Sequence, residues 1–402
     1  MTTEQKQLVK ETVPILKEHG VLLTTHFYNR MFTHNPELKN IFNMGNQQNK
    51  KQQTALAMAV LAYAEHIENP SVLLPVVDHI GHKHTSLDIR PEHYIIVGNH
   101  LIASIKEVLG DAASPELLEA WTKAYYQLAD LMSGHEQSIY KKHTNTTGGW
   151  TGWRPFKVKN KVVESKEITS LYLYPADGGQ VEKHIPGQYI SLRVFLPELN
   201  MIQPRQYSVS CAPNNEYYRI SVKREAGSKH PDGMISNFLH DHIEIDSIVD
   251  LTAPAGTFTL NHASSAEKIF ISGGVGQTPL MSMLEDLVEN KKENQLPIKW
   301  IHGCRNEQVH AFKDKVIELK NVYSNIQEHI FYEDMEENQL SNKNKGRVEL
   351  DIIQDIIKSD AEYYICGPAP FISKHYEFLI SQGINKSAIY FEEFGPASLQ
   401  LN

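Results

Sequence analysis

Three glycines follow the apolar segment Ile269–Ser272, where a buried strand would turn into a helix. Glycine lets the backbone turn sharply and approach an anion closely, which suits the Gly273–Gly276 segment to a phosphate. Thr278 is a good N-cap and Pro279 a good first helical residue, and the free amides at such a helix end favour phosphate. Because Pro279 stands where the standard dinucleotide fingerprint has its third glycine, an ordinary structural turn stays open as the alternative.

Two further segments make a nucleotide-binding interpretation stronger. Arg205 offers a forked cation for a phosphate, Tyr207 a flat face for a ring system, and Ser208 a hydroxyl for ring nitrogens. A second segment, Cys366–Pro368, follows an apolar run later in the chain. The alternatives are a surface arginine and a tyrosine in the core of a strand.

His84 is the histidine with the most suggestive surroundings. A lone histidine in a helical region usually lies on the surface or is a satisfied core residue. His84, however, ends the predicted helix Leu73–His84, in which Val76, Val77 and Ile80 form an apolar face. Ile80 and His84 are four residues apart, so the imidazole extends that face. An imidazole in this position can bind iron from one side.

Composition indicates an ordinary globular protein of two or three domains. The 402 residues are 41% hydrophobic and 22% charged, and the net charge of -9 argues against a nucleic-acid or anionic-membrane partner. Cys211, Cys304 and Cys366 lie far apart, which excludes a disulfide framework and cysteine-based metal sites and favours a reducing compartment. Charged residues interrupt any signal-peptide core, and no apolar run approaches the roughly 18 residues of a membrane span.

The elements before residue 144 are predicted to be helical. A Thr2–Gln5 capping box opens a first helix with apolar residues over Leu8–Leu16, and a second helix covers Leu22–Met31. Proline marks several helix starts. Further helices are predicted over Gln53–Ile67, Leu73–His84, Pro91–Leu109 and Pro115–Lys142.

After a linker at Thr144–Gly152 the pattern changes to short strands, which predicts a barrel or sandwich. Strands are predicted over Phe156–Glu164, Thr169–Tyr174, Gln188–Phe195, Gln206–Ser210, Tyr217–Lys223 and Ser247–Thr252. From Lys268 strands and helices alternate, which predicts a doubly wound α/β domain. The alternating segments are Lys268–Ser272, Leu280–Asn290, Ile298–Ile301, Ala311–Lys320, Leu350–Ile357, Tyr363–Cys366 and Phe371–Gln382.

From about Trp153 onward, the three motifs in this order resemble the ferredoxin–NADP reductase superfamily. The resemblance implies that Arg205–Ser208 holds a flavin close to Tyr189 and that Gly274–Pro279 receives the phosphates of a nicotinamide nucleotide. It also implies that Cys366–Pro368 borders the nicotinamide pocket. The implied cofactor-binding residues are Tyr189, Arg205, Gln206, Tyr207, Ser208, Gly274, Val275, Gly276, Gln277, Thr278, Pro279, Cys366, Gly367 and Pro368.

The helical half resembles a bacterial globin over His26–Phe32, Asn35–Met44 and Lys83–Ser86, with support from Trp121–Tyr125. A globin fused to a flavin reductase is the arrangement of the flavohaemoglobin family, which this chain resembles over its whole length. The resemblance therefore implies an all-α globin domain, an antiparallel β-barrel FAD domain and an α/β doubly wound NAD(P) domain. We expect them over residues 1–143, 151–262 and 263–402.

The same resemblance implies the roles of individual residues. His84 corresponds to the proximal iron ligand, with Tyr94 and Glu136 as the pair that hydrogen-bonds its imidazole. A carboxylate behind the ring would push electron density toward iron. Tyr28 corresponds to the distal tyrosine that hydrogen-bonds iron-bound oxygen, and Gln52 lines the distal side. The resemblance further implies haem contacts for Phe42, Leu56 and Lys83.

Residues 390–396 resemble the segment that reaches over the flavin. Glu392 matches a carboxylate that tunes the flavin potential. Glu393 departs from the pattern, because many relatives carry cysteine or threonine there, so the position transfers but its detailed role does not. The implied cofactor-binding residues here are Glu392, Glu393, Phe394, Gly395 and Pro396.

The activity implied by the resemblance is that of a nitric oxide dioxygenase. NADH or NADPH reduces FAD, FAD reduces haem b, and haem-bound oxygen converts nitric oxide to nitrate. Two alternatives stay open, an oxygen-binding or gas-sensing globin whose reductase keeps iron ferrous and a flavin reductase with a docking module. We expect a cytoplasmic monomer that binds small molecules, without nucleic acid, a membrane span or an obligate protein partner. The sequence does not decide between NADH and NADPH.

Overall fold

Helices alone build the first part of the chain. The computed structural model describes residues 1–48, 50–225, 233–290, 296–335, 343–353 and 355–394, excluding the side chains of Asn46 and Gln48. Within this part of the chain, packing separates a first unit of residues 1–153 and 193–205 from a second unit of residues 154–192 and 206–394. The predicted limits of three domains stay a prediction.

In the described part of the first unit, seven α-helices pack around an apolar core. Among its fully buried side chains are Phe27, Met31, Tyr63 and Trp121. Burying each such side chain contributes about 1.5–3 kcal/mol, so this core is the main source of the unit's stability. The helices are α1 Thr3–Glu11, α2 Val13–His34, α3 Met44–Gln48, α4 Lys51–Glu65, α5 Leu74–Thr85, α6 Pro91–Leu109 and α7 Pro115–Asn145. Short 3-10 turns cover Pro36–Asn40, Pro70–Leu73 and Gly110–Ala112.

The first two helices divide earlier than the sequence predicts. The capping box of Thr2 and Gln5 is confirmed, but α1 ends at Glu11 and Val13 already belongs to α2. The Thr12 hydroxyl donates to the carbonyl of Val9 at 2.6 Å and so competes with continuation of the helix. Beyond this break α2 runs without interruption to His34, so the second predicted helix is only its later half.

The described residues after Trp153 form two six-stranded sheets. The helices of the second unit are α8 Met234–Asp241, α9 Gln277–Asn290, α10 Lys313–Val322 and α11 Ala369–Ser381. The first sheet has the order β4-β3-β6-β1-β2-β5, with antiparallel pairing between β1 and both β2 and β6, and between β2 and β5. Its strands are β1 Arg154–Val163, β2 Ile168–Pro175, β3 Tyr189–Leu196, β4 Met201–Ser208, β5 Tyr218–Lys223 and β6 Ile248–Leu251. Packing assigns residues 193–205 of β3 and β4 to the first unit.

The second sheet is parallel and has the order β10-β9-β8-β7-β11-β12. Its strands are β7 Lys268–Gly273, β8 Ile298–Cys304, β9 Ile326–Tyr332, β10 Lys343–Lys345, β11 Glu362–Gly367 and β12 Ile389–Glu393. The chain passes from β7 to β8 on one side and returns to β11 on the other. This switch point, where ligands bind in such sheets, lies at the end of β7. The predicted combination of helical, antiparallel and doubly wound parts is confirmed.

One predicted segment of the alternation is wrong. The residues described within Leu350–Ile357 form turns and no strand or helix, although Leu350, Ile353 and Ile356 are buried. Their spacing of three resembles a helix, but Asp355 has φ 56° and interrupts any helical path. The segment covers the sheet with apolar side chains without being regular.

Two observations limit the kinds of site that the fold contains. Among the described residues, helices that are long enough to cross a membrane are not apolar enough to do so. Cys211, Cys304 and Cys366 are all buried, and none forms a disulfide.

Candidate active site

Three helices of the first unit bring His84, Tyr94 and Glu136 together. His84 lies in the last turn of α5, Tyr94 in the first turn of α6, and Glu136 on α7, where it is 2% exposed. His84 Nδ1 lies 2.7 Å from Glu136 Oε1 and 2.9 Å from the Tyr94 hydroxyl oxygen. The Tyr94 hydroxyl donates to Glu136 Oε1 at 2.6 Å. The structure thus places the three predicted residues in mutual contact.

The direction of these hydrogen bonds follows from their partners. Burial, and next the charge of Glu136, raise the pKa of Tyr94 well above its ordinary value, so its phenol keeps its proton. An ionised carboxylate only accepts hydrogen bonds, so His84 Nδ1 carries a hydrogen and donates it toward Glu136. His84 Nε2 then keeps its lone pair, which is the arrangement of a metal-binding imidazole backed by a carboxylate.

Tyr28 is the centre of a second group, built from α2, the residues between α2 and α4, and the start of α4. Its side chain is 5% exposed and packs edge-on against Phe42 with ring centres 5.9 Å apart. Burial raises the pKa of the Tyr28 hydroxyl well above its ordinary value, and hydrogen bonds with Gln52 and Gln47 oppose that rise. Tyr28 therefore holds its proton and is hydrogen-bonded by glutamines, while the distal role of Gln52 stays a prediction.

Gln53 and Gln47 contribute to this group although the sequence prediction omitted both. Gln53 Nε2 donates to Gln47 Oε1 at 2.9 Å, and the Thr24 hydroxyl donates to the carbonyl of Gln53 at 2.9 Å. Gln53 is buried while Gln52 is half-buried. The one available signal was the cluster of glutamines at residues 47–53, which does not show which of them turn inward.

The residues of the first unit fit a haem. His84 offers one nitrogen lone pair, and the half-buried side chains of Phe42 and Leu56 pack against the apolar core. Among the described residues, no three histidine, cysteine or carboxylate side chains form a metal-binding group. A porphyrin that carries its own four nitrogen ligands needs only such an apolar surface and a single imidazole. Lys83 is half-buried next to His84 and has further interactions of its own.

In the second unit, the glycine turn has a different local structure from the predicted one. Gly274–Gly276 forms a 3-10 turn and α9 begins at Gln277, so Thr278 and Pro279 lie inside the helix. The Thr278 hydroxyl donates to the carbonyl of Val275 at 3.0 Å and is not the N-cap. These three residues add one 3-10 turn before the helix, which sequence spacing alone did not reveal.

Two glycines of this turn are required for different reasons. Gly274 has φ +56°, the left-handed region, with open space around its α-carbon. A Cβ on Gly276 would lie 2.2 Å from the carbonyl oxygen of Cys366, so only glycine allows the turn to touch β11. Gly276 therefore serves packing against the sheet, in addition to any approach to phosphate.

The glycine turn after β7, the segment that begins at Cys366 and the end of β12 meet at the carboxyl edge of the parallel sheet. Cys366 pairs with Ser272 of β7 on one side and with Glu392 of β12 on the other, and Gly367 pairs with Glu393. Burial, and next the charge of Glu392, raise the pKa of the Cys366 thiol well above its usual value. Two other predicted residues follow these strands directly: Pro368 caps α11, and Phe394 is 41% exposed. Gly395 and Pro396 lie outside the described residues.

Gln277 supplies the observation that best fits a bound nucleotide. Its side chain is buried, yet within the described part of the chain neither its Nε2 nor its Oε1 has a hydrogen-bond partner. A buried amide without partners is rare in proteins and points to a bound group or water. Its position at the start of α9 beside the glycine turn matches the predicted place of a phosphate-bearing ligand.

The residues predicted to hold a flavin lie on neighbouring strands. The amide of Val209, directly after Ser208, donates to the carbonyl of Gln188, directly before Tyr189, at 2.9 Å. A Cβ on Gly256 would lie 2.9 Å from the Tyr189 ring, so the ring packs directly against the backbone of this glycine. This flat, half-buried surface suits an aromatic ring system. Arg205, Gln206 and Tyr207 are half-buried, and Ser208 is buried at the end of β4.

Comparison with known proteins identifies the family. The globin family model matches residues 25–132, and the model of the oxidoreductase NAD-binding domain matches residues 270–376. A flavohemoprotein of Bordetella parapertussis is 50% identical over 404 residues, which cover 99% of this chain and 100% of the relative. The chain belongs to the flavohaemoprotein family.

One solved structure resembles this flavohaemoprotein over nearly the whole chain, and another resembles it over 60% of the chain. A flavohemoglobin from Malassezia yamatoensis, with bound FAD and heme, has a TM-score of 0.86 at 24% identity and covers 98% of this chain and 99% of its own. The FAD/NAD-binding domain of a nitric oxide dioxygenase from Vibrio cholerae has a TM-score of 0.56 at 33% identity. It covers 60% of this chain and 99% of its own.

Family membership confirms several predictions. This flavohaemoprotein is an oxidoreductase with a globin module and a FAD/NAD-binding reductase module. A haem and a flavin as cofactors follow from the family, and a nicotinamide nucleotide follows from the matched module. The predicted roles of single residues stay predictions.

Proposed function

We propose that this flavohaemoprotein is a nitric oxide dioxygenase, which uses NADH or NADPH and dioxygen to convert nitric oxide to nitrate. The observation that carries the proposal is the buried carboxylate of Glu136 behind His84, 2.7 Å from Nδ1. Such a carboxylate gives the imidazole anionic character and pushes electron density toward a metal, which favours oxygen chemistry over reversible oxygen storage. The likeness to the Vibrio cholerae nitric oxide dioxygenase domain at 33% identity supports it.

Each cofactor would be held by a distinct set of residues. We assign the haem to His84, Phe42 and Leu56, FAD to Tyr189 and residues 205–208, and the nicotinamide nucleotide to residues 274–279 and 366–368. When bound, the haem supplies a site for dioxygen and one-electron chemistry, while the flavin accepts two electrons together and releases them singly. Because one chain carries both modules, we propose that electron transfer needs no second protein.

The distal residues act through their hydrogen bonds. Tyr28 keeps its proton at neutral pH, so its hydroxyl is a donor for negative charge that develops on the distal side. Gln52 and Gln47 hold that hydroxyl, and Gln53 holds Gln47 in turn. A fixed donor costs no reorganisation during the reaction, which is the advantage of this layered arrangement.

The residues of the reductase module hold the nucleotide-binding turn in place and keep a nearby thiol unreactive. The Gly276 backbone holds the nucleotide-binding turn directly on Cys366. The raised pKa of that thiol keeps it neutral, so Cys366 shapes the pocket without acting as a nucleophile. We also propose a cytoplasmic location, on the ground that the three unpaired cysteines suit a reducing compartment.

The test uses the full-length protein loaded with haem and FAD. We expect rapid, NADH-dependent consumption of nitric oxide in air, with one nitrate formed for each molecule consumed. Stable oxygen binding with negligible NADH oxidation would instead identify an oxygen-binding globin. His84→Ala should abolish the Soret band and nitric oxide consumption but leave flavin reduction by NADH intact. The reason is that His84 and the nucleotide-binding turn belong to different units.

The matched control is His66→Ala, which removes an exposed histidine from the end of α4. It should retain the Soret band and full turnover. A Soret band that survives His84→Ala unchanged would show that another residue binds the iron.

A further inference from the structure

Helix α9 is hydrogen-bonded to the segment that follows β4, the strand predicted to bind the flavin. The Ser282 hydroxyl in its second turn donates to the carbonyl of Cys211 at 2.7 Å. His184 Nε2 lies 3.0 Å from the same hydroxyl and 3.1 Å from the same carbonyl. All three residues are buried. The helix that follows the nucleotide-binding turn therefore touches the chain three residues beyond Ser208.

A buried ion pair strengthens this attachment one turn further along α9. Arg219 Nη2 of β5 donates to Glu285 Oε1 at 2.9 Å, and both side chains are less than one-tenth exposed. The second carboxylate oxygen, Oε2, accepts from the amide of Ala212 at 2.9 Å. Arg219 also donates from Nε to the Ser210 hydroxyl at 3.1 Å, and from Nη2 to the Ser210 carbonyl.

The Arg219–Glu285 pair has several further hydrogen-bond partners, which restrict its movement. Glu285 has one oxygen for each of its two donors. The guanidinium group of Arg219 also donates to Ser210, and its central carbon lies 5.5 Å from the centre of the Phe312 ring. Buried ion pairs contribute little net stability compared with apolar residues of similar size, because desolvation offsets their attraction. Their better-attested contribution is to fix one arrangement of the elements that they join.

The two ends of this connection are the two predicted cofactor sites. Ser210 lies two residues after Ser208 of the flavin-binding strand. Glu285 lies eight residues after Gln277, about 12 Å along a helix with a rise of 1.5 Å per residue. An α-helix is stiff over this length, so a shift of Glu285 moves the nucleotide-binding turn as well.

We propose that Arg219 and Glu285 are positioning residues that hold the nicotinamide-binding turn at a fixed distance and angle from the flavin-binding strand. The inference rests on the proposed function. In the step concerned, the C4–H bond of the reduced nicotinamide breaks, and its hydrogen and both bonding electrons pass to the flavin. The nucleotide is oxidised and the flavin is reduced, with any further proton taken from water. Such a transfer depends steeply on the distance between donor and acceptor.

The experiment compares Glu285→Gln and Glu285→Asp with a matched control in the full-length holoprotein. The glutamine side chain has one acceptor oxygen, whereas the Ala212 amide and Arg219 each need an acceptor. The glutamine NH₂ group would therefore face one of these two donors. Asp keeps the charge but is one methylene shorter, which guards against a variant that does not fold. The control is Glu362→Gln, which breaks another buried ion pair of this unit, Lys268–Glu362, at the opposite end of the parallel strands.

Flavin reduction by NADH is followed by stopped flow, with NADH and with NADH deuterated at C4. We expect the limiting rate to fall roughly 10- to 100-fold in both Glu285 variants, as a misplacement of about 1 Å produces. The isotope effect should rise while the dissociation constant for NADH stays within about threefold. Hydrogen exchange provides a readout without turnover, since the Ala212 amide should lose protection in Glu285→Gln only.

The outcomes separate the inference from the function on which it rests. Glu362→Gln should lower the unfolding midpoint yet leave the limiting rate and the isotope effect as in the parent protein. Equal effects of Glu285→Gln and Glu362→Gln on both quantities would reduce the Arg219–Glu285 pair to a structural role and overturn the proposal. If the parent protein itself reduces its flavin with neither NADH nor NADPH, the proposed function is wrong.

Discussion

At the residue scale, one carboxylate sets the electronic character of the haem site. Glu136→Gln keeps an oxygen that accepts from His84 and Tyr94 but removes the negative charge. We expect the iron–histidine stretching frequency of the ferrous protein to fall, because the imidazole loses anionic character. Nitric oxide turnover should fall roughly 10- to 100-fold, the usual effect of altering a partner behind a metal-bound imidazole. Resonance Raman spectroscopy and a nitric oxide electrode measure the two effects.

The control for this variant is Asp130→Asn, which removes an exposed charge from the same helix. It should change neither the vibration nor the turnover, because charge on an exposed side chain is screened by water. An iron–histidine frequency that stays the same in Glu136→Gln would mean that the carboxylate only orients the ring.

At the scale of elements, two glycines of the nucleotide-binding turn should resist substitution for different reasons. Gly276→Ala places a Cβ 2.2 Å from the Cys366 carbonyl, so α9 must move away from β11. We expect a loss of about 1–3 kcal/mol in stability, typical of overpacking, together with weaker NADH binding. Gly274→Ala meets no neighbouring atom but forces alanine to φ +56°, which costs about 1–2 kcal/mol.

Asparagine at each position distinguishes the two causes. Asn enters the left-handed region more readily than other residues, so Gly274→Asn should recover much of what Gly274→Ala loses. Gly276→Asn should be at least as damaging as Gly276→Ala, because its obstacle is the Cys366 backbone. Urea unfolding and NADH titration of the four variants provide the measurements. Rescue of the Gly276 position by Asn would contradict the packing argument.

Elements also show what the sequence could predict. The helix Pro91–Leu109, with strong periodicity and a proline start, is predicted residue for residue. The helix predicted over Pro115–Lys142 continues to Asn145. Local spacing fails where a tertiary or backbone detail decides, as with the 3-10 turn that displaces Thr278 from the cap and the positive φ of Asp355. The His84 trio was predictable only through the family resemblance, since Glu136 lies 52 residues from His84. Arg219 and Glu285, 66 residues apart, carry no such motif and were missed.

At the scale of the whole molecule, buried histidines connect stability to pH. Burial lowers the pKa of His184 to about 3 and that of His310 to about 4, and it holds the pKa of His302 well below its ordinary value. His302 Nδ1 lies 2.9 Å from the Ser272 hydroxyl, and its ring stacks on His310. His310 contacts the Tyr332 hydroxyl at 2.9 Å, with Lys313, Lys343 and Glu307 nearby. The folded protein therefore keeps these rings neutral in mild acid.

The sign of the effect follows from proton uptake. Below about pH 6.5 the unfolded chain protonates these histidines and the folded protein does not, so acid favours unfolding. Their contribution to stability is complete above that pH and is lost toward pH 4, by about 1.4 kcal/mol per pH unit for each histidine. Urea unfolding of the second unit, followed by flavin fluorescence, should show a steep loss between about pH 6 and pH 5. His310→Gln should make that slope shallower by about 1.4 kcal/mol per pH unit, whereas replacing the exposed His242 by Gln should leave it unchanged. An identical slope in His310→Gln and the parent protein would show that His310 takes up its proton equally in both states.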